Sequence, residues 1–251
     1  MSPGRTSRRG RAAYYGFSHA MPGNHLPILG VSDVMKLLVQ QKREALREGL
    51  LGMGEMVVTA LRQAIDCLRG RDLELAREIV VNDNKINQFR RLAEQQALVA
   101  LAAYQPAGDD FREIGANLEL VSELERMADH AKDVARLVEE MAGREIPPAP
   151  LLQTLDLAEQ ALAMLTGILK AYGDQDPQQA LALAAQDDQV DAAQRDLIRA
   201  TVALIQQEPG HAEVAIRLLW VAHDFERVAD RALNIAEQLV FITTGQIPEL
   251  E

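Results

Sequence analysis

A chain of 251 residues with 48% hydrophobic and 25% charged positions has the profile of an ordinary globular protein, long enough for one large domain or two modest ones. Its net charge of -11 argues against nucleic acid as the main partner, because that role needs a basic footprint, and favours a cation-binding face or a basic protein surface. A single cysteine, Cys67, rules out an internal disulfide and fits a reducing compartment, and no run approaches the roughly 20 apolar residues of a membrane-spanning helix.

Residues 1–34 carry Arg5, Arg8, Arg9 and Arg11 against Asp33. They read as a disordered basic tail, or as an upstream extension with Met35 nearer the functional start. Ser7-Arg8-Arg9-Gly10 has the outline of a twin-arginine signal, but Tyr14 to Gly30 lacks a continuous apolar stretch, which argues against export. From Met35 to Arg69 apolar residues recur at helical intervals, with Gly49, Gly52 and Gly54 placed to let a neighbouring helix approach. Gly70 is expected to end this helix and Asp72 to cap the next. The second helix runs to about Tyr104, before Gln105-Pro106-Ala107-Gly108, and the third from Asp109 or Asp110 to Ala142-Gly143.

Pro147, Pro148 and Pro150 predict a short stiff linker over 147–150 between a first bundle, 35–146, and a second, 151–245. Three more helices are expected in the second: about Leu151–Tyr172, Asp176–Gln207 and His211–Thr243, with a C-terminal tail at 246–251. Strand signals are absent, and abundant Ala, Leu, Gln and Glu favour helix throughout. The expected fold is all-α, two tandem pseudo-repeated three-helix bundles.

The repetition is explicit in the third helices. Glu125-Arg126-Met127-Ala128-Asp129 returns 101 residues later as Glu226-Arg227-Val228-Ala229-Asp230. The apolar stripe of Leu120, Leu124, Met127, Ala131, Val134, Val138 and Met141 returns as Val221, Phe225, Val228, Ala232, Ile235, Leu239 and Ile242. The middle helices repeat too: Asp83 and Asn87 correspond to Asp187 and Asp191 at an offset of 104.

Residues four apart on a helix share a face, so Glu125 with Asp129 and Glu226 with Asp230 are side-by-side carboxylate pairs, turned away from the apolar stripe. Such pairs repel unless a cation or base neutralises them. If the middle and third helices of each bundle are neighbours, Asp83 with Asn87 and Asp187 with Asp191 add further oxygens, a donor set suited to Mg, Ca, Mn or oxidised iron. Taken singly, each pair reads as solvated surface; duplication at matching positions favours a ligand role.

The remaining candidates are weaker. His223 shares a face with Glu226 and Asp230, but Ser122 stands at its duplicate position. His130 lies about 100° around the helix from Asp129 and reads as non-ligating. Arg126 and Arg227 are expected to pair with Glu123 and Asp224, and Trp220 to pack at the base of the last helix. Cys67 reads as a small packing residue. The only Glu-x-x-His spelling, Glu208-Pro209-Gly210-His211, lies in a turn. A glycine-rich phosphate loop, a nucleophile elbow and a zinc pattern are all missing, so the chain reads as no enzyme. A helical scaffold with no specific metal and a carboxylate-bridged metalloenzyme are the alternative readings of the acidic pairs.

The runs at 125–135 and 226–236, with Asp83/Asn87, Asp187/Asp191 and Met53-Gly54, resemble the signature of the PhoU family of phosphate-uptake regulators over about residues 38–245. The resemblance implies a cytoplasmic, often dimeric protein, peripheral to the membrane. Such a protein acts with the ATPase of the phosphate-specific ABC transporter and a sensor histidine kinase, holding the starvation response off when phosphate is plentiful. It further implies metal ions (iron, zinc, magnesium or manganese) at Asp83, Asn87, Glu125, Asp129, Asp187, Asp191, Glu226 and Asp230. Ala128 and Ala229 stand where the family commonly has glycine. Asn87 opposite Asp191 makes the first cluster the less charged one, although Asp133 opposite Asn234 offers one acid back.

Overall fold

A computed structural model of the chain describes residues 31–246 and Pro248. The expected basic tail lies almost wholly outside these residues, as does most of the C-terminal tail. Seven helices account for the described chain: α1 (Val31–Gly70), α2 (Leu73–Tyr104), α3 (Asp109–Glu140), α4 (Pro148–Asp174), α5 (Pro177–Ala184), α6 (Asp187–Gln207) and α7 (Ala212–Thr244), with a 3-10 turn at Pro209–His211.

The caps explain most boundaries. Asp72 stops α1 from running into α2: its carboxylate accepts from the N–H groups of Glu74 and Leu75, each at 3.0 Å, which would otherwise lack partners in the first turn. Gly70 is the last residue of α1, and the left-handed conformation falls on Arg71 (φ 52°). Likewise α4 runs through Gly173 to Asp174, and Gln175 takes the left-handed cap. Gly173 lies inside α4 beside Leu51, where a Cβ would stand 3.5 Å from that side chain, an ordinary contact distance.

Two expectations are corrected. The proline-rich stretch is no linker outside the helix: Pro147 is the N-cap of α4 and Pro148 its first residue. First-turn N–H groups have no acceptor within the helix, so prolines cost little there. The expected helix 176–207 is broken at Ala185–Gln186. There the Gln186 N–H bonds the Leu183 carbonyl, and the Gln189 N–H bonds that of Gln186, a tighter turn than α-helix. Asp187 and Asp188 then restart the chain as α6, at the end where the helix dipole favours negative charge.

Helices α1, α2 and α3 pack into one bundle, and α4, α5, α6 and α7 into the other. The bundles meet where α3 lies on α7 and α1 on α4, and one continuous core runs through both, from Leu61 and Leu124 to Leu165 and Phe225. Gly54 makes the second contact possible, since a Cβ there would stand 3.0 Å from Leu169 of α4. Across the α3–α7 seam, Glu123 receives Arg231 at 2.9 Å while His130 meets Asp224 at 2.9 Å. Residues 123 and 130 duplicate as 224 and 231, so the two contacts are exchanged copies of each other, and α3 and α7 run antiparallel about a pseudo-two-fold axis. The duplicated Glu-Arg-x-Ala-Asp motif lies at the centre of this seam.

Candidate metal and signalling site

Packing α2 on α3 brings Asp83, Asn87 and Asp129 together. Asp83 is 7% exposed, a burial that a carboxylate tolerates only with partners. Asn87 Nδ2 donates to its Oδ2 at 2.9 Å, and Lys132 Nζ donates to the same oxygen at 2.9 Å. Lys132 also bonds Asp129, one helical turn away. Burial works against the Lys132 ammonium, but the hydrogen bonds to Asp129 and Asp83 outweigh it and raise its pKa above the ordinary lysine value. The other oxygen of Asp83, Oδ1, is buried and makes no hydrogen bond within the protein. Asp83 borders a groove of about 380 Å³ between α1 and α2, with Glu55, Thr59, Gln63 and Asn82 on its walls.

Glu125 does not join this group directly. Its carboxylate faces Arg90 of α2 at 3.4 Å, and its side chain is 17% exposed. Of the acidic pair of α3, Glu125 therefore turns toward α2, whereas the Asp129 side chain stays 42% exposed.

In the second bundle, α6 packs on α7 and sets Asp187 near Arg227. Arg227 bonds Asp230 and lies 3.6 Å from Glu226, not the expected Asp224, which pairs with His130 across the seam. His223 Nδ1 lies 3.4 Å from Glu226. The Asp187 carboxyl is held above its usual range by burial first, then by Asp191 and Asp188, with Arg227 partly opposing. Asp191 turns to Arg195 at 3.0 Å. Buried Asp187 Oδ1 and Glu226 Oε2 make no hydrogen bonds within the protein.

In each bundle the two helices that carry the expected cluster pack together, and the chain's own cations take up part of its carboxylates: Arg90 and Lys132 in the first, Arg227 and Arg195 in the second. Among the described residues no three His, Cys, Asp or Glu side chains converge closely enough to hold a metal ion in this conformation. The donors remain oxygen-rich and partly unpaired, which suits a hard cation. Sequence reasoning missed Lys132, although its spacing of three from Asp129 puts both on one face. It also missed Arg90 and the His130–Asp224 contact, for which no local signal exists because the partners lie on different helices. Trp220 is 57% exposed and stacks edge-on with His223 at 6.0 Å, so it is not the packing residue expected. Cys67 is buried as expected, its thiol donating to the Asp72 carbonyl at 3.2 Å.

Two fused helical bundles with a duplicated acidic motif on their shared seam define an all-helical protein of two repeats. The comparisons give the family. Residues 50–138 and 154–239 each match the PhoU domain, and the chain belongs to the PhoU family. It is 34% identical over 206 residues to the phosphate-specific transport system accessory protein PhoU homolog of Zymomonas mobilis, covering 81% of this chain and 86% of that one. The Rhizobium meliloti homolog is 30% identical, covering 79% and 84%. The crystal structure of PhoU from Pseudomonas aeruginosa superposes with a TM-score of 0.80 at 28% identity, covering 82% of this chain and 99% of that one. Among the described residues no helix is long and apolar enough to cross a membrane.

Proposed function

We propose that this protein is a non-enzymatic negative regulator of phosphate uptake and phosphate-starvation signalling. It acts as an adaptor between the ATPase of the phosphate-specific ABC transporter and a sensor histidine kinase, at the inner face of the membrane, and keeps the response off when phosphate is plentiful. The observation that carries this reading is membership of the PhoU family with both copies of the acidic pair present, Glu125/Asp129 and Glu226/Asp230. The relatives' names, phosphate-specific transport system accessory proteins, point the same way.

The acidic clusters serve this role as sites for a metal ion. Asp83, Asn87, Glu125 and Asp129 are the candidate ligands in one, and Asp187, Asp191, Glu226 and Asp230 in the other. Charge-neutralising cations would lock each pair of helices, and a homodimer would present both copies twice.

The test is a phosphate-starvation reporter in a deletion strain grown in ample phosphate, complemented with wild type or with Glu226→Ala/Asp230→Ala. The reporter is expected to switch on in the deletion and to be silenced by wild type but not by the double variant. A reporter that stays off in the deletion removes the repressor reading.

A further inference from the structure

The two acidic clusters are copies in sequence but not in charge compensation. Position 132 holds lysine in the first repeat, and its duplicate holds Leu233. Lys132 Nζ ties Asp83 of α2 to Asp129 of α3, the bridge that a metal ion would otherwise make. Its side chain is 17% exposed and that of Asp83 only 8%. An incoming cation would have to expel an ammonium group from this covered position and leave it without its acceptors. Arg90 holds Glu125 on the same face. Three carboxylates of the first cluster, Asp83, Glu125 and Asp129, thus face Lys132 and Arg90, the arginine being shared with Glu94 at 2.8 Å.

The second cluster is under-compensated. Asp187, Asp188, Asp191, Glu226 and Asp230 face Arg227, the outlying Arg195 and the imidazole of His223, 3.4 Å from Glu226. The Arg227 side chain is 41% exposed, so it can swing into water at little cost. Leu233 can neutralise nothing, and neither α6 nor α7 carries a lysine. Asp187 Oδ1, like Asp83 Oδ1 in the first cluster, is buried without a hydrogen bond within the protein; the second cluster differs in having no ammonium bridge between its two helices.

We propose that Lys132 is a built-in counter-ion that takes a metal's place in the first repeat, so that only the second repeat, with Leu233 at that position, answers to a divalent cation. The second half of this inference rests on the metal reading given above; the lysine half rests on geometry alone. One repeat is then permanently clamped and the other responsive, which gives the duplicated fold one fixed and one switchable face.

The test counts Mn²⁺ bound by the purified full chain, read from the paramagnetic resonance of the free ion, with melting temperatures measured with and without Mn²⁺. Wild type is expected to bind about one ion per chain. That ion should be lost in Asp187→Asn/Glu226→Gln and kept in Asp83→Asn. Lys132→Leu, which gives the first repeat the residue of the second, should gain one further ion and a larger Mn²⁺-dependent rise in melting temperature. Leu233→Lys should lose the ion that wild type binds.

Two ions in wild type, or a folded Lys132→Leu that binds no more than wild type, overturns the proposal. If wild type binds none and Lys132→Leu binds one, the lysine assignment is upheld and the metal reading of the second cluster falls. If neither binds any, both fall. Should Lys132→Leu fail to fold, Leu233→Lys decides: loss of the wild-type ion supports the proposal, and unchanged binding overturns it.

Discussion

Replacing Glu113 by glutamine removes a buried ion pair, and the structure predicts that the protein will be no less stable for it. Glu113 is 4% exposed, held by Arg43 at 3.1 Å and Arg47 at 3.5 Å on α1. Burial raises its pKa above the usual carboxylate range; Arg47 and Arg43 pull it down, and do not win. The sign then follows. A carboxyl whose folded pKa lies above its unfolded value favours folding while protonated, and that advantage is lost as pH rises through the window between the two values.

At pH 7 the wild type has therefore lost stability that a neutral isostere keeps, at about 1.4 kcal/mol for each unit of displacement. The opposing term is the cost of stranding the arginines, about 3–5 kcal/mol when a buried charge loses its only partner. That term is small here. Arg43 keeps Asp110 at 2.7 Å, and the two arginine side chains are 25% and 20% exposed, enough to reach water. The expected result is a change from zero to a gain of about 1 kcal/mol at pH 7, fading as pH falls through the raised pKa and wild-type Glu113 takes up its proton. Urea unfolding of both proteins at pH 5, 6 and 7 reads it directly. A loss of about 2 kcal/mol or more at pH 7, or a difference that does not move with pH, would refute the reasoning.

Other perturbations separate the packing contacts. Gly54→Ala should cost about 1 kcal/mol, because overpacking against Leu169 outweighs the gain in helix propensity; a drop in melting temperature of about 2–4 °C is the readout. Gly167→Ala should be near neutral, since the clashing Leu183 is only partly buried and can turn aside; a comparable drop there would contradict that contrast. The Cys67 thiol, fully buried with its pKa pushed up to about 11 by burial and then by Asp72 and Glu139, should resist a thiol reagent at pH 8 until the chain is unfolded in urea. A double-mutant cycle on Glu123 and Arg231 should return a coupling of about 1 kcal/mol, and a value near zero would mean that this ion pair does not hold the seam.

Much of the architecture was legible in the chain. The 101-residue repetition of an apolar stripe foretells two like bundles because the period of a helix and the burial of one face are local properties. The Asp72 cap and the stops before Gln105-Pro106 are local for the same reason. Where local signals competed, sequence reading went astray. Prolines that look like a linker are first-turn residues of α4, and a periodic run that looks like one helix breaks before Asp187 because consecutive acids favour a new N-terminus.

The amino-acid sequence by itself determined which residues carry charge, which helix faces are apolar and that the unit is built twice. Only the tertiary structure decided how the charges are partnered. Lys132 reaches across to Asp83, 49 positions earlier, and His130 to Asp224, 94 positions later, because α2 packs on α3 and α3 runs antiparallel to α7. Pairing energy depends on distance and burial, and neither follows from spacing once the partners lie on different helices. The counter-ions of the two motifs differ first in sequence, Lys132 against Leu233, but only the packing of α2 on α3 decides that Lys132 ties Asp83 to Asp129.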